Sequence, residues 1–449
     1  MLIKLRTKPD FDTAPVDCFE ELNYRYSQSI GSRESNMNNN GPAATETRWL
    51  YDSPVNSDVE AKLRRFLVEL KDTDRILGIQ VCAYKDGQVI IDTAAGVLGK
   101  YNRRPVQPNS LFPVFSVTKA VTAGMIHWLA DKGKLKLDEN IGNFWPEFAK
   151  NGKDQIKVNH VLNHTAGLHN ALAGVCEEDD TLFCDFDECV KRIAMVAPET
   201  EPGRVQLYHY LSYGWLCGGI IEHASGKKFQ DVLEEAIVRP LNIEGELYIG
   251  IPPGVESRLA TVTLDHDIYK PNSFSIPRPS SYTFNMMSSI IPLSNTLNVR
   301  RAIQPAANGH FSARAVARYY ATLVDGGVVP PRHPSLSESH PMSDKVDIKI
   351  FTSPKGKIHD ALLGSGDYED LIVPDGQFGV GFIRFSETNG SVIGVGHPGL
   401  GGSTGYCDIN NRFAIAVTIN NLSSGALTGE IIKFVCAELD LPIPGCYDK

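Results

Sequence analysis

The chain has 449 residues, 44 of them basic and 53 acidic, for a formal net charge of −9, with 42% hydrophobic and 22% charged side chains. That length supports one large or two medium domains with filled cores, in the composition range of globular proteins. An acidic balance with no basic stripe argues against nucleic acid as a partner, and no apolar run approaches the roughly twenty residues that span a bilayer.

Residues 1–47 are polar, lack periodicity and end in Asn36-Met37-Asn38-Asn39-Asn40-Gly41-Pro42, so they predict a flexible tail. The start Met1-Leu2-Ile3-Lys4-Leu5-Arg6 breaks into charge at once, without the apolar core of a secretory leader. Nine scattered cysteines fit a reducing, cytoplasmic setting better than a disulfide framework, and Cys176, Cys184 and Cys189 lack zinc-knuckle spacing. A helix is expected over 58–70, then strands over 78–84 and 89–92 around a Lys85-Asp86-Gly87 turn. From Ser116 to about Asp325 the pattern is helical and loop-like, with an amphipathic helix over 313–323 stopped by Gly326-Gly327. Strands return over 378–385, 392–395, 403–407 and 413–419, the last two joined by an Asn410-Asn411 turn, before a helix over 425–439. Strands and a helix at both ends of a helical middle predict an α/β (α+β) fold with a discontinuous antiparallel sheet. The domain would span 48–445, its sheet part about 58–110 and 376–440, with a helical and loop insertion over about 111–375. Two long Pro/Ser-rich stretches, 266–305 and 330–375, exceed ordinary loop lengths.

The chemistry concentrates at Phe115-Ser116-Val117-Thr118-Lys119, where an apolar strand-like run feeds a helix. Ser116 and Lys119 are three apart, so a helix places amine and hydroxyl on one face at its positive end. A serine needs an adjacent base to act as a nucleophile, and a neutral lysine can be that base. Ser116 is therefore the candidate nucleophile of a serine acyl-transfer enzyme. A second Ser-x-x-Lys match, Ser225-Gly226-Lys227-Lys228, reads as a helix end and turn. Such a site also needs a proton shuttle, a second oxyanion donor and a pocket wall. Tyr208-His209-Tyr210, after Pro202-Gly203, and His397-Pro398-Gly399-Leu400 are the candidate segments. Phe274, Tyr282, Phe284, Met286 and Met287 either line an acyl pocket or anchor their loop.

Rival motifs are weaker. Gly401-Gly402-Ser403-Thr404-Gly405 has the letters of a nucleophile elbow, but a turn and a strand follow where a helix is required. His160 and His164 stand one helical turn apart without the glutamate of a zinc motif, so no metal or other cofactor is expected.

In order and spacing, these segments resemble the serine β-lactamase-like family over about residues 58–440. That family includes class C β-lactamases, D-Ala-D-Ala carboxypeptidases, family VIII esterases, transacylases and eukaryotic β-lactamase-like proteins. Val161-Leu162-Asn163-His164-Thr165-Ala166-Gly167-Leu168 is similar to its Leu-Leu-x-His-Thr-Ser-Gly-Leu stretch, and Arg239-Pro240-Leu241-Asn242-Ile243 to its Pro-Leu-Gly-Met segment. The resemblance implies Ser116 as nucleophile, Lys119 as its activator and Tyr208 as proton relay. It also implies an oxyanion hole from the N–H groups of Ser116 and Leu400, with His397 and Gly399 lining the acyl pocket. Two departures follow: Tyr210 stands where the family commonly has asparagine, and His397 where β-lactamases have the lysine of Lys-Thr-Gly. Both point away from β-lactams and toward esters, small amides or acyl transfer on a small-molecule substrate. The alternative from another class is a non-catalytic scaffold of the same fold, against which the retained Ser116, Lys119 and Tyr208 argue. Oligomeric state is not legible in the sequence.

Overall fold

Strand signals from opposite ends of the chain meet in one sheet. The computed structural model describes residues 49–71, 73, 75–173, 182–264, 291–331 and 348–447. The tail, Cys176 and the aromatic and methionine cluster of 274–287 lie outside the described residues. Helix α1 (Asp58–Lys71) opens the fold, with acidic residues in its first turn and Leu63, Leu67 and Leu70 on its buried face. Strands β1 (Gly78–Lys85) and β2 (Gln88–Gly96) form the expected hairpin, the second running longer than its apolar core suggested. Asp86 and Gly87 both have positive φ, 52° and 78°, which is what a two-residue hairpin loop requires.

Strand β3 (Phe112–Phe115) runs straight into α2 (Val117–Asp131), which is buried on nearly every face and packs on α3 (Ser212–Ser225). Gly226, at φ 70°, caps α3 in the left-handed conformation, so Ser225-Gly226-Lys227-Lys228 is the helix end expected. Strands β4 (Leu247–Ile249) and β5 (Gly309–Phe311) join β3 in a small sheet of order β3-β5-β4. That sheet is not visible in the sequence, because three-residue strands carry too little alternation to register. Helix α4 (Ala313–Val324) follows, its N-terminus capped by Ser312.

The chain then returns through β6 (Ile383–Ser386), β7 (Val392–Pro398), β8 (Thr404–Asp408) and β9 (Phe413–Ile419) to helix α5 (Ala426–Glu438). With β1 and β2 these strands make one antiparallel sheet of order β2-β1-β9-β8-β7-β6. Side chains alternate across it: Val81 and Ala83 join α1 and α5 on one face, while Cys82 and Tyr84 join α4 on the other. The expected strand over 378–385 starts only at Ile383. Gly379 donates to the Phe382 carbonyl and Gly381 takes φ 90°, which turns the chain instead. Cys82, Cys217, Cys407 and Cys436 are buried free thiols, and among the described residues no helix is long and apolar enough to cross a membrane.

Candidate active site

Ser116 occupies the junction of β3 and α2. Phe115, just before it, sits at φ 48°, a left-handed conformation that costs a bulky residue about 1–3 kcal/mol. Thr118 holds that bend: its hydroxyl donates to the Phe115 carbonyl (2.5 Å) and accepts from the Gly309 N–H of β5 (2.9 Å). The bend lifts Ser116 out of the strand line and onto the helix N-terminus. Its side chain makes no capping bond there; instead its Oγ lies 3.3 Å from Lys119 Nζ.

Lys119 is 1% exposed. Its Nζ also donates to the Ala306 carbonyl (3.1 Å) and lies 4.8 Å from the Tyr208 ring centre and 5.7 Å from that of Tyr213. A hydroxyl, a carbonyl and two aromatic faces surround it, none of them an anion. Burial pushes the ammonium well below the usual lysine range, with neighbouring Cys217 acting in the opposite direction. The amine can thus be neutral and basic at a pH where a surface lysine is charged.

Tyr208 is buried and packs tilted on His164 at 4.6 Å, with Tyr210 edge-on at 4.8 Å and His397 at 6.2 Å between ring centres. Tyr210 is half-buried, and its ring supports Tyr208. His397, near the end of β7, has Nδ1 2.8 Å from the Pro398 carbonyl, so the proton sits on Nδ1 and Nε2 is left as an acceptor. Among the described residues Nε2 is buried without a hydrogen-bond partner, and burial drives the imidazole down to about 3. A neutral ring offering a lone pair repels a carboxylate.

Gly399 approaches β3 so closely that a Cβ would lie 2.2 Å from the Val114 carbonyl. That contact seats Gly399-Leu400 beside the strand that delivers Ser116. The half-buried Leu400 side chain packs with Phe115, Val262, Ile291 and Leu422. The structure therefore gathers Ser116, Lys119, Tyr208, Tyr210, His397, Gly399 and Leu400 around one locus.

The rival motifs separate from it. Ser403 is fully buried, its Oγ accepting from the Ile419 N–H (3.1 Å), and β8 rather than a helix follows. Ser225 accepts from the Lys227 N–H in a surface turn. His160 Nδ1 accepts from the Lys157 N–H, whereas His164 Nδ1 accepts from the His209 N–H, so the two do not converge on a metal. Sequence reasoning missed the Ala306 carbonyl, Tyr213 and Cys217 around Lys119. A backbone carbonyl has no side-chain signature, but Tyr213 and Cys217 stand four apart, one turn of α3, and their shared face could have been found by helical spacing.

Comparison with known proteins bears on the family and the fold. The family model described as Beta-lactamase matches residues 63–431. "Esterase/beta-lactamase LipL" of Mycobacterium tuberculosis is 29% identical over 370 residues, covering 80% of this chain and 81% of the relative. "Esterase EstB" of Burkholderia gladioli is 25% identical over 40% of this chain and 49% of its own length. Among solved structures, a penicillin-binding protein homologue from Caulobacter crescentus is 27% identical with a TM-score of 0.64, over 83% of this chain and 95% of that one. A family VIII carboxylesterase shares the fold at 22% identity and a TM-score of 0.65, over 83% and 94% of the two chains.

Proposed function

The chain belongs to the beta-lactamase family, and from that premise we propose that it is a serine hydrolase or acyltransferase working through an acyl-enzyme on Ser116. The observation that carries the reading is the buried Lys119 amine, 3.3 Å from Ser116 Oγ and without an anionic partner among the described residues. Lys119 takes the Ser116 proton as Oγ attacks the acyl carbon. The oxyanion is received by the N–H groups of Ser116 and Leu400, aided by the positive end of α2. Tyr208 passes the proton to the leaving group, and water or another nucleophile then releases the acyl chain from Ser116. Incubation with an activated ester should add the acyl mass to the peptide containing Ser116 and leave the Ser116→Ala variant unlabelled. Labelling of Ser403 or Ser225 instead would refute the assignment.

The substrate class follows from His397. A lone pair on Nε2 and a neutral ring suit uncharged esters or thioesters and disfavour the carboxylate of penicillins and cephalosporins. Among the relatives, "Esterase EstB" supports the ester direction, while "Esterase/beta-lactamase LipL" carries both activities in its name. In a panel of p-nitrophenyl esters against nitrocefin, the best ester should lead in kcat/KM by at least about tenfold, equivalent to about 1.4 kcal/mol of transition-state binding. Nitrocefin turnover rivalling that ester would overturn the role given to His397.

A further inference from the structure

We infer that His164 is the positioning residue for Tyr208: it grips the backbone on both sides of the tyrosine and keeps its phenol beside Lys119 and Ser116. This rests on the acyl-enzyme reading above. The carbonyl of His164 accepts from the Leu207 N–H at 2.9 Å, and its Nδ1 accepts from the His209 N–H at 3.0 Å. The two residues flanking Tyr208 are therefore tied to one histidine. Its ring lies against the Tyr208 ring at 4.6 Å, while Phe378 meets it edge-on at 4.4 Å.

The clamp is stitched from the other side as well. His209 Nε2 accepts from the Leu168 N–H (3.3 Å), and its Nδ1 donates to the Leu207 carbonyl (2.7 Å). Both nitrogens of His209 are committed to backbone, so it braces the segment and relays no proton.

The conformation of His164 explains why the geometry is special. It stands at φ 65°, in the left-handed region, although it is not glycine. That twist lets its own carbonyl and its Nδ1 face the same short segment. The position requires a side chain that tolerates positive φ, an acceptor at the Nδ1 site and a flat surface for Tyr208. Acceptance at Nδ1 puts the proton on Nε2 and requires a neutral ring. The site supplies that state: His164 is 1% exposed, and burial, with His209, Lys119 and His397 nearby, holds its pKa well below the usual value.

Asparagine tests the idea sharply, since its Oδ1 falls near the Nδ1 position and it tolerates positive φ, whereas glutamine is one methylene too long. Kinetics with a p-nitrophenyl ester should show His164→Asn within a few-fold of wild type. His164→Gln and His164→Ala should each lower kcat by about 10–10²-fold, the scale of an ångström-sized misplacement, with KM changed less. In a Tyr208→Phe background, His164→Ala should cost nothing further, because the group it positions is gone. An equal loss from His164→Ala in both backgrounds would overturn the assignment. If the alanine variant does not fold, the asparagine–glutamine contrast decides, and equal activity of those two overturns it. Labelling of wild-type Ser116 by the same ester separates the two levels of inference. No labelling defeats the acyl-enzyme reading and this proposal together; labelling with additive losses defeats only the proposal.

Discussion

Lys119→Ala is expected to lower kcat by about 10²–10⁴, the usual contribution of a positioned general base. The variant that separates mechanism from mere charge is Lys119→Arg. Arginine keeps a cation beside Ser116 but cannot be deprotonated in a protein, so it can neither take the serine proton nor return it. Both variants should therefore fail alike, and an active arginine variant would reduce Lys119 to an electrostatic role. The pH profile gives a second reading of the same group. Burial depresses the folded pKa of Lys119 below its ordinary value of 10.5. The reactive, neutral amine then gains population as pH rises through that lowered pKa and is lost as pH falls through it. The acid limb of kcat/KM for ester hydrolysis should track this titration and disappear from the residual rate of Lys119→Ala. Acylation of Ser116 followed by mass spectrometry should slow by the same factor as turnover if Lys119 serves the first step.

Much of this site was legible because its chemistry is carried by side chains at short, regular spacing. Ser116 and Lys119 announce themselves by a helical interval after an apolar run, and the structure puts their atoms 3.3 Å apart. The large sheet was legible for a similar reason: the seven-residue apolar, β-branched run of β9 and the turn chemistry of the Asp86-Gly87 hairpin can be read locally. What stayed hidden depends on long-range backbone. The Ala306 carbonyl reaches Lys119 across 187 residues, and the Gly309–Phe311 strand that supports Phe115 is too short to signal itself. His164 was visible as part of a familiar phrase, but its clamp on the Tyr208 segment acts across 45 residues and needs the fold to exist. Tyr210 was legible only as standing where the family commonly has asparagine; the structure adds the edge-on contact of its ring with Tyr208.

The second large effect concerns stability in mild acid. His127, His209, His310 and His397 are each 4% exposed or less. Burial drives their folded pKa values down to about 4, 3, 3 and 3 from an ordinary 6.5. Each places a ring nitrogen on a backbone carbonyl, of Val380, Leu207, Asn308 and Pro398 respectively, so each is built in as a neutral donor. Below about pH 6.5 the unfolded chain takes up protons that the folded chain refuses, so stability is present above that pH and lost as pH falls toward the folded values. At about 1.4 kcal/mol per pH unit, each histidine removes roughly 2 kcal/mol by pH 5. Four together remove about 8 kcal/mol, comparable with the whole stability of an ordinary domain at about 5–15 kcal/mol. Carboxylates held low, such as Asp131 and Asp325, titrate in more acidic solution, while Glu246, raised by burial, takes up its proton more readily folded than unfolded and offsets part of the histidine loss. Urea midpoints measured at pH 7.5, 6.5, 5.5 and 5 should fall steeply over that interval. His310→Asn, which keeps a donor near the Asn308 carbonyl without a titrating ring, should remove about one proton from the uptake that accompanies unfolding. A midpoint that stays level between pH 7 and 5 would mean that these rings charge in place and that their burial does not hold them neutral.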